Sequence, residues 1–174
     1  MTSDVTLRAA RPEDEVFLCR VYASSREEEL SALEWAEEQK AAFLRMQFEA
    51  QHRYYRENYR SSSFDVVLVD GQPAGRLYVA RWPEELRVID VALLPEFRRR
   101  GVGTFLLRAL LDEASARGLP VRIHVERFNP ALVLYERLGF RVLEDRGVYL
   151  FLEWRAAGAE ASPGGPSDPR PEAR

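Results

Sequence analysis

Three consecutive arginines and two glycines stand at the mouth of an amphipathic run. They are Arg98, Arg99, Arg100, Gly101 and Gly103 within "LLPEFRRRGVGTFLLRALLDEA". A helix opens with four backbone N–H groups that none of its own residues accepts, and they lie at the positive end of its dipole. An anion is the natural partner of that end, and a diphosphate suits it. Glycines keep side chains away from an approaching phosphate, and arginine adds charge of the right sign. The stretch reads as strand, phosphate-binding turn, helix. A plain surface turn with solvated arginines is the competing reading. Two familiar phosphate motifs do not fit. Gly103-Thr104 lacks the lysine of a Walker turn, and Leu106 stands where a dinucleotide fingerprint has its third glycine.

Other residues able to do chemistry are few. Asp90 interrupts the otherwise apolar end of "ELRVIDVALL". His124 and Glu126 lie on one face of "PVRIHVE", opposite Val121, Ile123 and Val125. Asn129 and Tyr135 belong to "NPALVLYERLGF". Cys19 is the only cysteine, so no internal disulfide forms. His52 and His124 have no partners at metal-ligand spacing, and no metal is expected. The net charge of −3 weighs against a nucleic-acid partner. No apolar run is long enough to span a membrane and the first residues carry no apolar signal core, so a cytoplasmic protein is expected.

These residues need elements to hold them. A first strand is expected over Val5 to Ala10, then a helix from Pro12, with Glu13, Asp14 and Glu15 in its first turn, to about Ser24. Ser31 and Glu34 form a capping-box pattern ahead of a long helix reaching Tyr59. Leu44, Phe48, Gln51, Tyr55 and Tyr59 recur there at helical spacing, with a break possible near Gln39. Asp70-Gly71 between two β-branched runs marks a hairpin. Strands over Glu85–Leu94 and Pro120–Glu126 flank the helix that follows the arginines, and Gly118 suits its C′ position. Asn129-Pro130 reads as an N-cap with proline at N1, Gly139 closes that short helix, and two strands surround Arg146-Gly147. This order predicts an α/β fold whose mixed, mostly antiparallel sheet of about six or seven strands is flanked by helices. One domain is expected over 1–155, with a disordered Pro/Gly/Ala-rich tail over 156–174.

The two stretches "LLPEFRRRGVGTFLL" and "VERFNPALVLYERLGF" together resemble the GNAT superfamily of N-acetyltransferases. Arg98, Gly101 and Gly103 match its Arg/Gln-x-x-Gly-x-Gly/Ala core. Asn129, Tyr135, Leu138, Gly139 and Phe140 match its second motif. The resemblance covers roughly Leu86 to Trp154. It implies the acyl-CoA N-acyltransferase fold, acetyl-CoA as co-substrate and direct attack by a primary amine in a ternary complex. It implies that the pyrophosphate lies on the backbone of Arg99, Arg100, Gly101, Val102, Gly103 and Thr104. The pantetheine would run between strands Glu85–Leu94 and Pro120–Glu126, paired with the main chain near Leu93, and Asn129 would contact the cofactor arm beside Tyr135.

Acetyl transfer to an amine needs a proton acceptor, a stabilised oxyanion and a proton for the departing thiolate. A backbone N–H at Leu93 or Leu94 is the expected oxyanion donor, and the resemblance makes Tyr135 the general acid. Asp90 is the first candidate base, with Glu126 and His124 behind it. A water chain, or a purely structural pairing of Asp90 with Arg87 or Arg122, stays open. The resemblance implies an amine acceptor, a small molecule or a peptide, whose identity the residues leave open. The acidic run Glu27, Glu28, Glu29, Glu34, Glu37, Glu38 is either a rim that attracts it or a solvated helix face. Trp35, Phe43, Tyr54, Tyr55 and Tyr59 line an acceptor pocket, a core or a homodimer seam. The rival functional class is a non-catalytic acyl-CoA-binding or sensing module on the same fold.

Overall fold

The computed structural model of the chain describes residues 2–159. Among them are seven strands in one mixed sheet, ordered β1-β2-β3-β4-β5-β7-β6, and four α-helices. The elements are β1 (Val5–Ala9), α1 (Glu15–Ser31), α2 (Glu37–Asn58), β2 (Ser63–Val69), β3 (Gln72–Arg81), β4 (Leu86–Leu93), α3 (Val102–Arg117), β5 (Val121–Glu126), α4 (Leu132–Leu138), β6 (Arg141–Arg146) and β7 (Tyr149–Trp154). By contacts the chain divides into two compact units. One holds the residues up to Ala80 with Val88–Ala109, the other Arg81–Arg87 with the residues from Leu110 on. The predicted tail lies outside the described residues from Glu160 onward.

In the first unit β1, β2 and β3 form an antiparallel meander. Asp70 (φ +49°) and Gly71 (φ +81°) both take left-handed backbone at the β2–β3 turn, as a two-residue hairpin requires. The register slips by one residue at Val67/Leu68, leaving Ala74 bulged on β3. Helices α1 and α2 bury Leu18, Tyr22 and Phe48 together with Val66 of β2.

The boundary between these helices differs from expectation. Ser31 ends α1 rather than starting α2, and its hydroxyl donates to the Glu28 carbonyl at 2.6 Å. The second helix begins at Glu37, where the Gln39 side chain accepts the Ala36 N–H at 3.1 Å. The run Arg26–Glu29 is made of good helix formers, so α1 continues through it. Before α1, Pro12–Asp14 form a turn of 3-10 helix. There Asp14 accepts two bonds from Arg8, at 2.7 and 2.9 Å, and the Arg11 N–H at 2.7 Å. The Arg8 bond chiefly draws the Asp14 pKa from 3.8 down to about 2. Stability from this group is therefore present above its ordinary pKa and is lost as pH falls through about 2. The Asp14→Asn variant is expected to be less stable than the wild type near neutral pH. Denaturant unfolding at stepped pH should show that gap closing between about pH 4 and pH 2.

In the second unit β5, β7 and β6 pair antiparallel, and the Leu86 N–H bonds the Pro120 carbonyl at 3.0 Å. Gly118 (φ +66°) follows α3, and the Leu119 N–H returns to the Ala114 carbonyl at 2.9 Å, which ends the helix as predicted. The cap of α4 differs. Ala131 is its N-cap residue, and Asn129 sits two residues earlier, accepting the Ala131 N–H at 2.9 Å. Among the described residues no helix is long and apolar enough to cross a membrane.

Candidate functional site

Strand β4 ends at Leu93, and Pro95–Phe97 turn once as 3-10 helix, with Phe97 buried as an anchor. Beyond Arg98 the backbone takes left-handed conformation twice, at Arg99 (φ +58°) and Gly101 (φ +79°). Arg99 is unusual in this region, because its Cβ is crowded there. A Cβ at Gly101 would meet nothing within 4 Å, so that glycine is required by its dihedral rather than by space. Helix α3 follows at once. Its first internal bond runs from Phe105 N–H to the Gly101 carbonyl at 3.0 Å. The N–H groups of Val102, Gly103 and Thr104 therefore have no acceptor within the helix.

The three arginines have separate fates. Arg98 turns back, donating from Nε to the Leu93 carbonyl at 2.9 Å and reaching Ser24 Oγ at 3.4 Å. Arg100 lies over the Phe97 ring at 5.5 Å and near the Glu96 carbonyl at 3.4 Å. Arg99 is exposed and has no side-chain hydrogen bond or ion pair among the described residues, so it is the guanidinium left for an anion.

The end of β4 is held tightly against β3. The Leu94 N–H donates to the Ala74 carbonyl at 2.8 Å. Of the two oxyanion donors expected, Leu94 is thus already engaged. Strand alternation turns the Leu93 N–H to the opposite edge. Gly75 makes this packing possible: a Cβ there would lie 2.2 Å from the Ala92 carbonyl oxygen and 2.9 Å from Leu93 Cα. Sequence reasoning passed over Gly75, although a glycine inside a strand run signals close backbone approach.

Asp90 pairs with neither Arg87 nor Arg122. Its Oδ2 accepts from Arg76 at 2.7 Å and from the Tyr55 hydroxyl at 3.3 Å, and Arg76 also reaches Gln51 at 2.9 Å. Arg76 is only 3% exposed and lies over the rings of Tyr22 and Tyr78. Burial opposes its charge, but the Asp90 carboxylate, with Tyr78 and Tyr55, outweighs that and raises its pKa. Burial first, then the Asp90 charge, pushes the Tyr55 hydroxyl well above its usual range, so it stays a donor. Tyr55 and Tyr59 are core residues in contact with each other, and Tyr55 also meets Tyr78 edge-on. Trp35 is exposed against Phe43, and all six glutamates of the acidic run are exposed.

The second unit carries the remaining candidates. Tyr135 is buried on α4, edge-on to Phe140 at 5.5 Å. Asn129 is exposed. Glu126 meets the Tyr149 hydroxyl at 3.5 Å. His124 stacks on Phe151 at 4.4 Å with a ring nitrogen 2.8 Å from Arg146, which makes that nitrogen an acceptor. Arg87 and Arg122 are absorbed by Glu85, which is 1% exposed and accepts from both, and Arg122 also bonds Glu153. This buried ionic cluster was not foreseen.

Against models of known families, residues 27–140 match the one described as "Acetyltransferase (GNAT) family", more than half of the chain. The chain belongs to the acetyltransferase (GNAT) family. The expected fold is the GNAT fold. The PaiA N-acetyltransferase of Thermoplasma acidophilum, whose crystal structure is in complex with coenzyme A, superposes with a TM-score of 0.68 at 19% identity, over 88% of this chain and 99% of that one. Among curated relatives, the ribosomal protein bS18-alanine N-acetyltransferase of Salmonella typhimurium is 41% identical over 59 residues, 33% of this chain and 40% of that protein. The streptothricin acetyltransferase of Streptomyces lavendulae is 34% identical over 84 residues, 46% of this chain and 44% of that protein. The chain thus spans less than half the length of these two relatives.

Proposed function

We propose that this chain is an N-acetyltransferase that moves an acetyl group from acetyl-CoA to a primary amine. The observation that carries the reading is the turn before α3. Left-handed backbone at Arg99 and Gly101 leads into three helix N–H groups with no helical acceptor, and the Arg99 guanidinium has no partner among the described residues. That is a seat for the pyrophosphate of coenzyme A, and family membership selects this anion from others. The relatives' names attach acetyl transfer to a ribosomal-protein alanine in one case and to streptothricin in the other, which fits an amine as acceptor.

In this reading the amine nitrogen attacks the thioester carbonyl carbon directly. The Leu93 N–H donates to the oxygen as it becomes negative. The carbon–sulfur bond then breaks, and Tyr135 gives the thiolate its proton. Asp90 Oδ1, which carries none of the bonds to Arg76 and Tyr55, is the proposed first acceptor of the amine proton, with Glu126 as the second candidate.

Titration calorimetry of the protein with acetyl-CoA, CoA and an unrelated dinucleotide tests the cofactor, and CoA release with a mixed amine library tests the transfer. Micromolar binding of acetyl-CoA and CoA, none of the dinucleotide, and amine-dependent release are expected. Binding without release on any amine would leave an acyl-CoA-binding module. No binding would remove the reading altogether.

A further inference from the structure

We infer that Arg98 is a positioning residue for the Leu93 peptide rather than a phosphate ligand, and that Gly75 is its counterpart on the β3 side. The inference rests on the proposed seating of acetyl-CoA at β4 and α3.

A strand end left to itself frays, because its peptides have lost a neighbour to bond. At the end of β4 three separate contacts prevent this. The Leu94 N–H is bonded to the bulged residue Ala74 at 2.8 Å. The Ala92 carbonyl and Leu93 Cα lie against Gly75 so closely that a Cβ would stand 2.2 and 2.9 Å from them. The Leu93 carbonyl is fixed by Arg98 Nε at 2.9 Å, and the far end of that guanidinium reaches Ser24 on α1 at 3.4 Å. The Leu93–Leu94 peptide is thus bonded on both sides, and the Ala92–Leu93 peptide, which carries the Leu93 N–H, is packed against Gly75. With its flanking peptide bonded and its own carbonyl packed, that N–H is held by contacts that a ligand does not supply, which is what a preorganised oxyanion donor requires.

The same geometry takes Arg98 away from the phosphate seat. A guanidinium has one Nε–H, and here it is spent on a carbonyl five residues back. Two left-handed residues, Arg99 and Gly101, then separate Arg98 from the open N–H groups of α3. Charge for the pyrophosphate comes from Arg99 instead.

The test is infrared difference spectroscopy of acetyl-CoA carrying a carbon-13 thioester carbonyl, beside calorimetry with CoA. In the wild type the bound carbonyl stretch is expected to shift to lower frequency, because it accepts the Leu93 N–H. Arg98→Met, which has no donor, should lose at least about half of that shift while its CoA affinity stays within about threefold of wild type. Arg98→Lys, which restores one donor, should recover part of the shift. Gly75→Ala should lose the shift as well. That variant is severe enough to unfold, and the exposed Arg98 variants carry the test without it. An unchanged shift in Arg98→Met overturns the inference. So does a fall in CoA affinity of about tenfold or more, the mark of a phosphate ligand. Failure of the wild type to bind acetyl-CoA would instead strike the proposed function, and this inference with it.

Discussion

Replacing Gly103 by aspartate is expected to abolish acetyl-CoA binding without weakening the fold. The two effects have opposite signs for a physical reason. Gly103 lies in the first turn of α3 and, unlike Gly101, is not in left-handed backbone, so any L-residue fits its dihedrals. Aspartate there improves on glycine in helix propensity by a few tenths of a kcal/mol, and its charge at the positive end of the dipole adds about 0.3–1 kcal/mol. The melting temperature should hold or rise by a degree or two, since about 1 kcal/mol corresponds to roughly 2–4 °C in a chain of this size. For the cofactor the same carboxylate is a rival anion. It occupies the N–H groups proposed to hold the pyrophosphate and repels what it does not displace. A loss of about a hundredfold or more in affinity, close to 3 kcal/mol, is expected by calorimetry. Gly103→Ala separates volume from charge and should lose far less. An aspartate variant that binds acetyl-CoA as the wild type does would move the phosphate seat away from this turn.

The two glycines of that turn also show what sequence reading reaches. Both were legible as part of a phosphate turn, but one explanation was offered for the pair. The structure separates Gly101, held by its dihedral, from Gly103, a position within α3 without positive φ. Asp70-Gly71, Gly118 and Gly139 were read with their places because the reason is local: each ends or reverses an element by adopting positive φ. The α1–α2 boundary was misread because Ser31 and Glu34 satisfy a local rule while helix propensity through Arg26–Glu29 overrides it. The pairing of Asp90 with Arg76 had no local signal at all. It joins two strands whose neighbourhood depends on the hairpin turn after β3, where the Trp82 N–H bonds the Glu85 carbonyl at 2.9 Å. Arg98 likewise carried a plausible local meaning, and only its direction in space revises it.

Asp90→Asn is expected to be the most destabilising single-atom-scale change in the first unit. The reason is Arg76 rather than Asp90 itself. Asparagine can still accept a hydrogen bond, but it leaves a guanidinium that is 3% exposed without its countercharge. Breaking a buried pair from one side costs about 3–5 kcal/mol, which for this chain length lowers the melting temperature by roughly 10 °C. Removing both charges is a different matter. In Arg76→Met with Asp90→Asn no buried charge remains, the methionine stem still packs between Tyr22 and Tyr78, and most of the loss should return. A double variant as unstable as Asp90→Asn alone would mean that the pair does not couple as the 2.7 Å contact implies. The same double variant also separates the two roles assigned to Asp90. Activity lost in the single variant mixes a weakened β4 with a missing base. If the double variant regains stability and acetyl-CoA affinity but turns over about a hundredfold or more slowly, the carboxylate acts on the proton. If turnover returns with stability, Asp90 serves by holding Arg76, and the amine loses its proton to Glu126 or to water.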